Sequence, residues 1–216
     1  MRYFLFIFFC IVAGSVFGSW FFGGGGTAGP EVEDTFTDSD STELQSHTTD
    51  SGHSWSEINA DVIITSNEGV GNTGASHELY YVNHTMSSAD YYAEVTVDGS
   101  GGTECSIGIR SDGAAEASHT AYFVTWFPDI SQARLYKTVS GTPDQLGSSL
   151  TSVTGPVTLK VQASGTTITG WADDTQIASE TDSDISAAGF VVIGAGLRGS
   201  RNGNGNTYDN LEADTL

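Results

Sequence analysis

The stretch GFVVIGAGLRG, residues 189–199, has the spacing that most directly suggests chemistry. Gly194-Ala195-Gly196-Leu197-Arg198-Gly199 reads G-x-G-x-x-G after an apolar run, as in a dinucleotide-binding turn. That chemistry needs a helix aimed at the pyrophosphate and a second parallel strand. The next seven residues, SRNGNGN, contain three Asn and two Gly and cannot hold a helix. Only 17 residues follow Gly199, short of a βαβ unit of ~30. The glycines instead mark a closely packed strand followed by a surface loop, 199–206. No nucleotide cofactor is expected.

The other reactive residue types form no ready constellation. The five histidines, 47, 53, 77, 84 and 119, fall in turn-like segments without the i,i+4 spacing of a helical zinc site. His47 and His53 flank Asp50, which suggests local turn hydrogen bonding. Cys10 lies in an apolar N-terminal run. Cys105 opens an alternating strand and points inward as a small hydrophobe. A disulfide framework within the globular part is therefore excluded. Asn83-His84-Thr85 fits a glycosylation sequon, relevant only in a eukaryotic secretory route.

Aromatic and basic residues offer a different chemistry. A sugar stacks on an aromatic face, donates hydrogen bonds to Asp, accepts them from Arg and exchanges them with Asn. Tyr80, Tyr122, Trp126, Tyr136 and Trp171 each alternate with apolar neighbours, and Arg110 and Arg134 are candidates for an anionic sugar. A core role competes at every one of these aromatics.

Residues that act together need elements to hold them. From about Val32 the chain is rich in Thr, Ser, Gly, Val, Ile and aromatics, and no run of ten residues keeps a 3.6 period. Short alternating runs recur instead. Examples are Tyr91/Ala93/Val95/Val97, Ile107/Ile109, Tyr122/Val124/Trp126, Val157/Leu159/Val161 and Thr167/Thr169/Trp171. Phe123 and Phe127 fall on the opposite face from Trp126. Ala172-Asp173-Asp174-Thr175 reads as a hairpin turn. Ten or more such strands predict an all-β fold, two antiparallel sheets packed face to face as a jelly-roll β-sandwich.

The 216 residues carry 27 acidic and 7 basic side chains, a net charge of −20. Such a surface repels nucleic-acid phosphates and anionic lipids, suits cations, and keeps a protein soluble. Residues 3–22 are apolar and follow Arg2, so residues 1–22 read as a signal peptide or one membrane anchor. The compact core Phe4 to Val12, with Val16 and Gly18 placed like a cleavage site, favours the signal. Trp20, Phe21 and Phe22 would suit an anchor. Either way the acidic part is exported. Residues 23–31 form a Gly-rich linker, and residues 32–216 form the sandwich.

Asp34-Thr-Phe36-Thr-Asp38-Ser-Asp40 opens this domain, followed by Leu44, His47, Gly52 and Trp55. Lys137 precedes Gly141, and Ala188-Gly189-Phe190 leads to a last strand with Asp209-Asn210. Over roughly 32–215 this resembles the concanavalin A-like (laminin G-like) jelly-roll superfamily, in particular domains of phage virion proteins and secreted bacterial proteins. The resemblance implies that the first and last strands pair, bringing Asp34 near Asp209. It further implies a structural Ca²⁺ held by Asp34, Asp38, Asp40 and Asp209. Hard oxygen ligands suit that ion, and a solvated acidic turn is the competing reading. Glucanases of this fold carry E-x-D-x-(x)-E on one strand. The nearest string here, Glu31-Val-Glu33-Asp34, abuts the linker and precedes the core, so no catalytic residue is assigned.

The expectation is a non-catalytic glycan-binding module, extracellular or on a virion surface. The alternatives are a structural particle protein that packs against copies of itself, and a polysaccharide hydrolase or lyase.

Overall fold

The computed structural model describes residues 29–59, 62–71, 78–99, 104–195 and 205–216. The apolar segment 3–22, most of the linker, His77, and Gly196 to Gly199 of the glycine motif lie outside these. Among the described residues no helix is long and apolar enough to cross a membrane.

Sixteen strands make up the described chain. They are β1 (Val32–Asp34), β2 (Thr42–Glu43), β3 (Trp55–Asn59), β4 (Val62–Thr65), β5 (Glu68–Gly71) and β6 (Glu78–Val82). Then come β7 (Tyr91–Asp98), β8 (Cys105–Ser111), β9 (Ala121–Phe127), β10 (Gln132–Val139) and β11 (Thr142–Thr151). The last are β12 (Val157–Ser164), β13 (Thr167–Ala172), β14 (Thr175–Thr181), β15 (Phe190–Ala195) and β16 (Thr207–Thr215). One sheet runs β14-β13-β12-β7-β16-β5-β4-β2, with β1 also on β16; the other runs β11-β10-β9-β8-β15-β6-β3.

Alternation decides the faces, because successive strand side chains point to opposite sides. Tyr91, Ala93, Val95 and Val97 of β7 and Val157, Leu159 and Val161 of β12 are buried between the sheets. They meet Ile107, Ile109, Tyr122, Val124 and Leu135 from the second sheet. Phe123, Phe127, Tyr136, Leu79 and Val192 form a second apolar cluster on the other face of that sheet. Cys105 is a free, buried thiol in the main core, as its strand position predicts.

β15 is antiparallel to both β6 and β8, so the strand that carries Gly194 does not open a βαβ unit. The Gly194 carbonyl accepts from the Tyr208 hydroxyl at 2.8 Å, across from the first sheet.

β1 pairs with β16 in the register Val32↔Ala213 and Asp34↔Leu211, so the first and last strands do lie side by side. Val32 and Asp34 are fully buried. The start of the domain therefore belongs to the core rather than preceding it. Glu31 is tied down beside it, accepting from the Ser87 amide at 2.9 Å and from the Ser87 hydroxyl.

Candidate functional site

The residues proposed for Ca²⁺ do not converge on a cation. Asp34 is fully buried, and N–H groups take its oxygens. Oδ1 accepts from the Phe36 amide (2.7 Å) and His47 Nε2 (3.0 Å), and Oδ2 accepts from Trp55 Nε1 (2.8 Å). Asp38 contacts the other nitrogen of His47 at 3.2 Å. Asp40 accepts from the Ser66 amide, and Asp209 accepts from both the backbone and side-chain amides of Asn210. Among the described residues no group of three acidic, His or Cys side chains fits a metal. Ca²⁺ needs several oxygen ligands gathered around one point, and these carboxylates are not so gathered, so this set does not fit the ion.

His47 joins Asp34 and Asp38 instead. Both partners are acceptors only, so the imidazolium, with two N–H donors, matches them best. Burial alone would lower the His47 pKa, but the bond and charge of Asp34, then those of Asp38, raise it above the ordinary value. Asp50, between His47 and His53, accepts from the Thr35 amide and hydroxyl. His53 reaches the Glu31 carbonyl at 3.0 Å. The local turn bonds are made by the backbone, His47 N–H to the Leu44 carbonyl and His53 N–H to the Thr49 hydroxyl, while the imidazole rings reach longer-range partners on and beside β1.

His119 behaves oppositely. It is buried, its Nε2 lies 3.0 Å from the Ser111 hydroxyl, and desolvation lowers its pKa despite the Asp112 charge. The two histidines therefore bracket the stability profile. A raised folded pKa gives stability that is present below the unfolded value of ~6.5 and lost as pH rises through the folded value. A lowered one gives stability that is lost as pH falls. We predict a melting temperature that declines on both sides. His47→Gln should flatten the alkaline side, whose slope is at most ~1.4 kcal/mol per pH unit for one proton. Melts of both proteins from acid to alkaline pH check this; an unchanged alkaline limb contradicts it.

Most of the aromatics proposed as sugar platforms face inward. Tyr80, Tyr122 and Trp126 lie in the inter-sheet core. The Tyr122 hydroxyl donates to Asp182 (2.6 Å) and accepts from the Ile185 amide (3.2 Å). Burial, then the Asp182 bond, pushes its pKa up to about 12. Tyr80 accepts from the Val62 amide at 3.0 Å. Tyr136 is buried on the far face of the second sheet. Arg134 stands 5.1 Å over the Phe127 ring and donates to Gln132 and the Tyr136 hydroxyl. Arg110 is 3 % exposed and bonds three backbone carbonyls, so its guanidinium is taken up by the fold rather than presented to a ligand.

Trp171 is the exception. It is half-buried on the outer face of the first sheet and lines a groove of about 590 Å³, within the range of small-ligand sites. β7 supplies Glu94, β12 supplies Thr158, Lys160 and Gln162, and the β13–β14 turn supplies Asp173 and Asp174. The alternation that buries Val157, Leu159 and Val161 turns Thr158, Lys160 and Gln162 outward. Register then sets them side by side: Lys160 lies opposite Glu94 on one strand and opposite Trp171 on the other. Gly170, at a bulge beside Trp171, faces inward so closely that a Cβ would lie 2.6 Å from Val124 Cγ2. Asp173 takes φ 51° and caps the hairpin, accepting from the Thr158 amide at 3.0 Å. Lys160 Nζ sits 2.8 Å from Glu94 Oε2 and 3.9 Å from the Tyr92 ring centroid. The groove thus combines one indole face, an amide, a hydroxyl and several carboxylates.

Two antiparallel sheets with the first and last strands paired define the concanavalin A-like jelly roll, and the chain has this fold. No protein-family model matches the sequence, and no curated protein matches it. Solved structures do. The carbohydrate-binding module CBM66 from Bacillus subtilis superposes with a TM-score of 0.59 at 17% identity, covering 74% of this chain and 95% of that one. The Bacillus licheniformis β-glucanase gives 0.56 at 11% identity, covering 88% and 100%. The exoplasmic/lumenal domain of VIP36 in its Ca²⁺- and mannose-bound form gives 0.55 at 12%, covering 77% and 85%. At these identities the likeness establishes the fold.

Proposed function

We propose that this chain is an exported, non-catalytic glycan-binding module whose sugar docks in the groove on the outer face of the β7/β12/β13 sheet. The carrying observation is the half-buried Trp171 ring set among Gln162, Lys160, Glu94 and Asp173. An aromatic face with flanking polar groups suits a sugar, which presents apolar C–H faces and equatorial hydroxyls. Solved structures of the same fold include a carbohydrate-binding module and a mannose-bound lectin domain, which supports the reading.

A glycan array followed by titration with the best binder tests this. Trp171→Ala should weaken binding by about ten- to a hundredfold, the effect of losing a central aromatic anchor. A melt of the Trp171→Ala protein separates lost binding from lost folding. A silent array, or a Trp171→Ala protein that binds as well as the parent, contradicts the reading. Self-association without any glycan response would favour a structural role.

A further inference from the structure

We propose that the groove selects a cationic amino-sugar polymer, a hexosamine chain with free protonated amines, an inference that rests on the glycan-binding reading above. The site is the Trp171 cavity, and the charges around that ring decide which sugars it takes. Three carboxylates, Glu94, Asp173 and Asp174, line it against the single ammonium of Lys160. That ammonium is already matched by Glu94 and by the Tyr92 ring. A uronate or sulfated sugar would therefore enter an acidic groove without an available cation. The arginines that could have served it are engaged elsewhere: Arg110 in the core and Arg134 over Phe127.

The carboxylates at the turn are differently placed. Asp173 spends one oxygen on the Thr158 amide, leaving the other open to the groove mouth. The Asp174 side chain is exposed and makes no hydrogen bond to the described residues. A sugar stacked on Trp171 would lie beside these oxygens, where an ammonium substituent gains a charge-assisted hydrogen bond. The net charge of −20 adds a long-range attraction for a polycation. A neutral sugar keeps the stacking and loses only these terms.

The test titrates the full chain with three probes: a glucosamine hexamer, its N-acetylated counterpart, and a hexuronate oligomer. Each ammonium–carboxylate contact at an exposed rim contributes about two- to fivefold. The glucosamine hexamer should therefore bind about tenfold tighter than the N-acetylated one. This advantage should shrink in high salt, where exposed charges are screened. Asp174→Asn should lower the cationic-over-neutral ratio by about two- to fivefold. Equal or tighter binding of the N-acetylated or uronate probe overturns this proposal. So does binding of the glucosamine hexamer that survives Trp171→Ala undiminished, because it would then report attraction to the acidic surface as a whole. Neutral binding through Trp171 without a cationic preference overturns only the selectivity. Silence from all three probes overturns the amino-sugar proposal, while the glycan reading itself stands or falls with the array.

Discussion

Arg110→Met should destabilise the fold by about 2–4 kcal/mol, through its lost charge-assisted bonds, a large share of the ~5–15 kcal/mol available to a domain. The guanidinium ties together three distant segments. Nε donates to the Ala89 carbonyl (2.9 Å) at the entry to β7, and Nη2 to the Gly165 carbonyl (2.9 Å) in the β12–β13 turn. Nη1 donates to the Ile185 carbonyl (2.7 Å) between β14 and β15. Asp90, at 3.5 Å from Nη2, is the only carboxylate in the set and also accepts from the Gly165 amide at 2.8 Å. Methionine keeps much of the apolar stem but removes every donor. The Ile185 carbonyl is buried and, left unpaired, costs about 1–3 kcal/mol; those of Ala89 and Gly165 are reached by water and cost less. Lysine would keep the charge without the planar fork and should recover only part of the loss. Urea denaturation measures the shift in midpoint. A loss below about 1 kcal/mol would mean that water or rearranged donors replace the guanidinium.

Asp34→Ala should cost a similar amount, about 3–5 kcal/mol. It strands the Phe36 amide, the Trp55 indole N–H and His47 in a site fully closed to solvent. Phe36 has φ 50°, a conformation unfavourable for an L-residue, and the Asp34 carboxylate holds its amide there. Near-UV dichroism should report the loosened Trp55. The single Asp34→Ala and His47→Ala losses should exceed that of the double variant when summed, because both remove the same contact. Strict additivity would show that the two residues act separately. A melting temperature that rises with Ca²⁺ in the parent but not in Asp34→Ala would restore the metal role.

Much of this architecture is legible from alternation alone. The inward sets of β7 and β12, and the opposite faces of Trp126 and Phe123, follow from period-two patterns over apolar residues. β11 left no such trace, because its TPDQLGSSLT sequence forms a sheet edge and is exposed or half-buried throughout. The hairpin turn at Asp173-Asp174 was readable from residue type, and it contributes to the groove. What local pattern does not carry is which strands are neighbours. Lys160 and Gln162 occupy outward positions of a readable strand, yet only the pairing of β12 with β7 and β13 brings them to Glu94 and Trp171. The tyrosines misled for a related reason. An alternating aromatic can be buried with its hydroxyl satisfied, and the partners of Tyr122 lie about 60 residues away at Asp182 and Ile185. Arg110 looked like a free cation because the carbonyls it holds come from segments 21, 55 and 75 residues distant.

The location of the sugar is the central claim, and chemical-shift mapping tests it most directly. The ¹⁵N-labelled chain would be titrated with the strongest glycan from the array, following the Trp171 indole N–H and the backbone amides. The predicted result is saturable shifts at Trp171, Lys160, Gln162 and Asp174, with the opposite sheet unmoved. Shifts confined to the outer face of the β9/β10 sheet, around Phe127, Arg134 and Tyr136, would place the ligand on the other side of the sandwich and contradict the account.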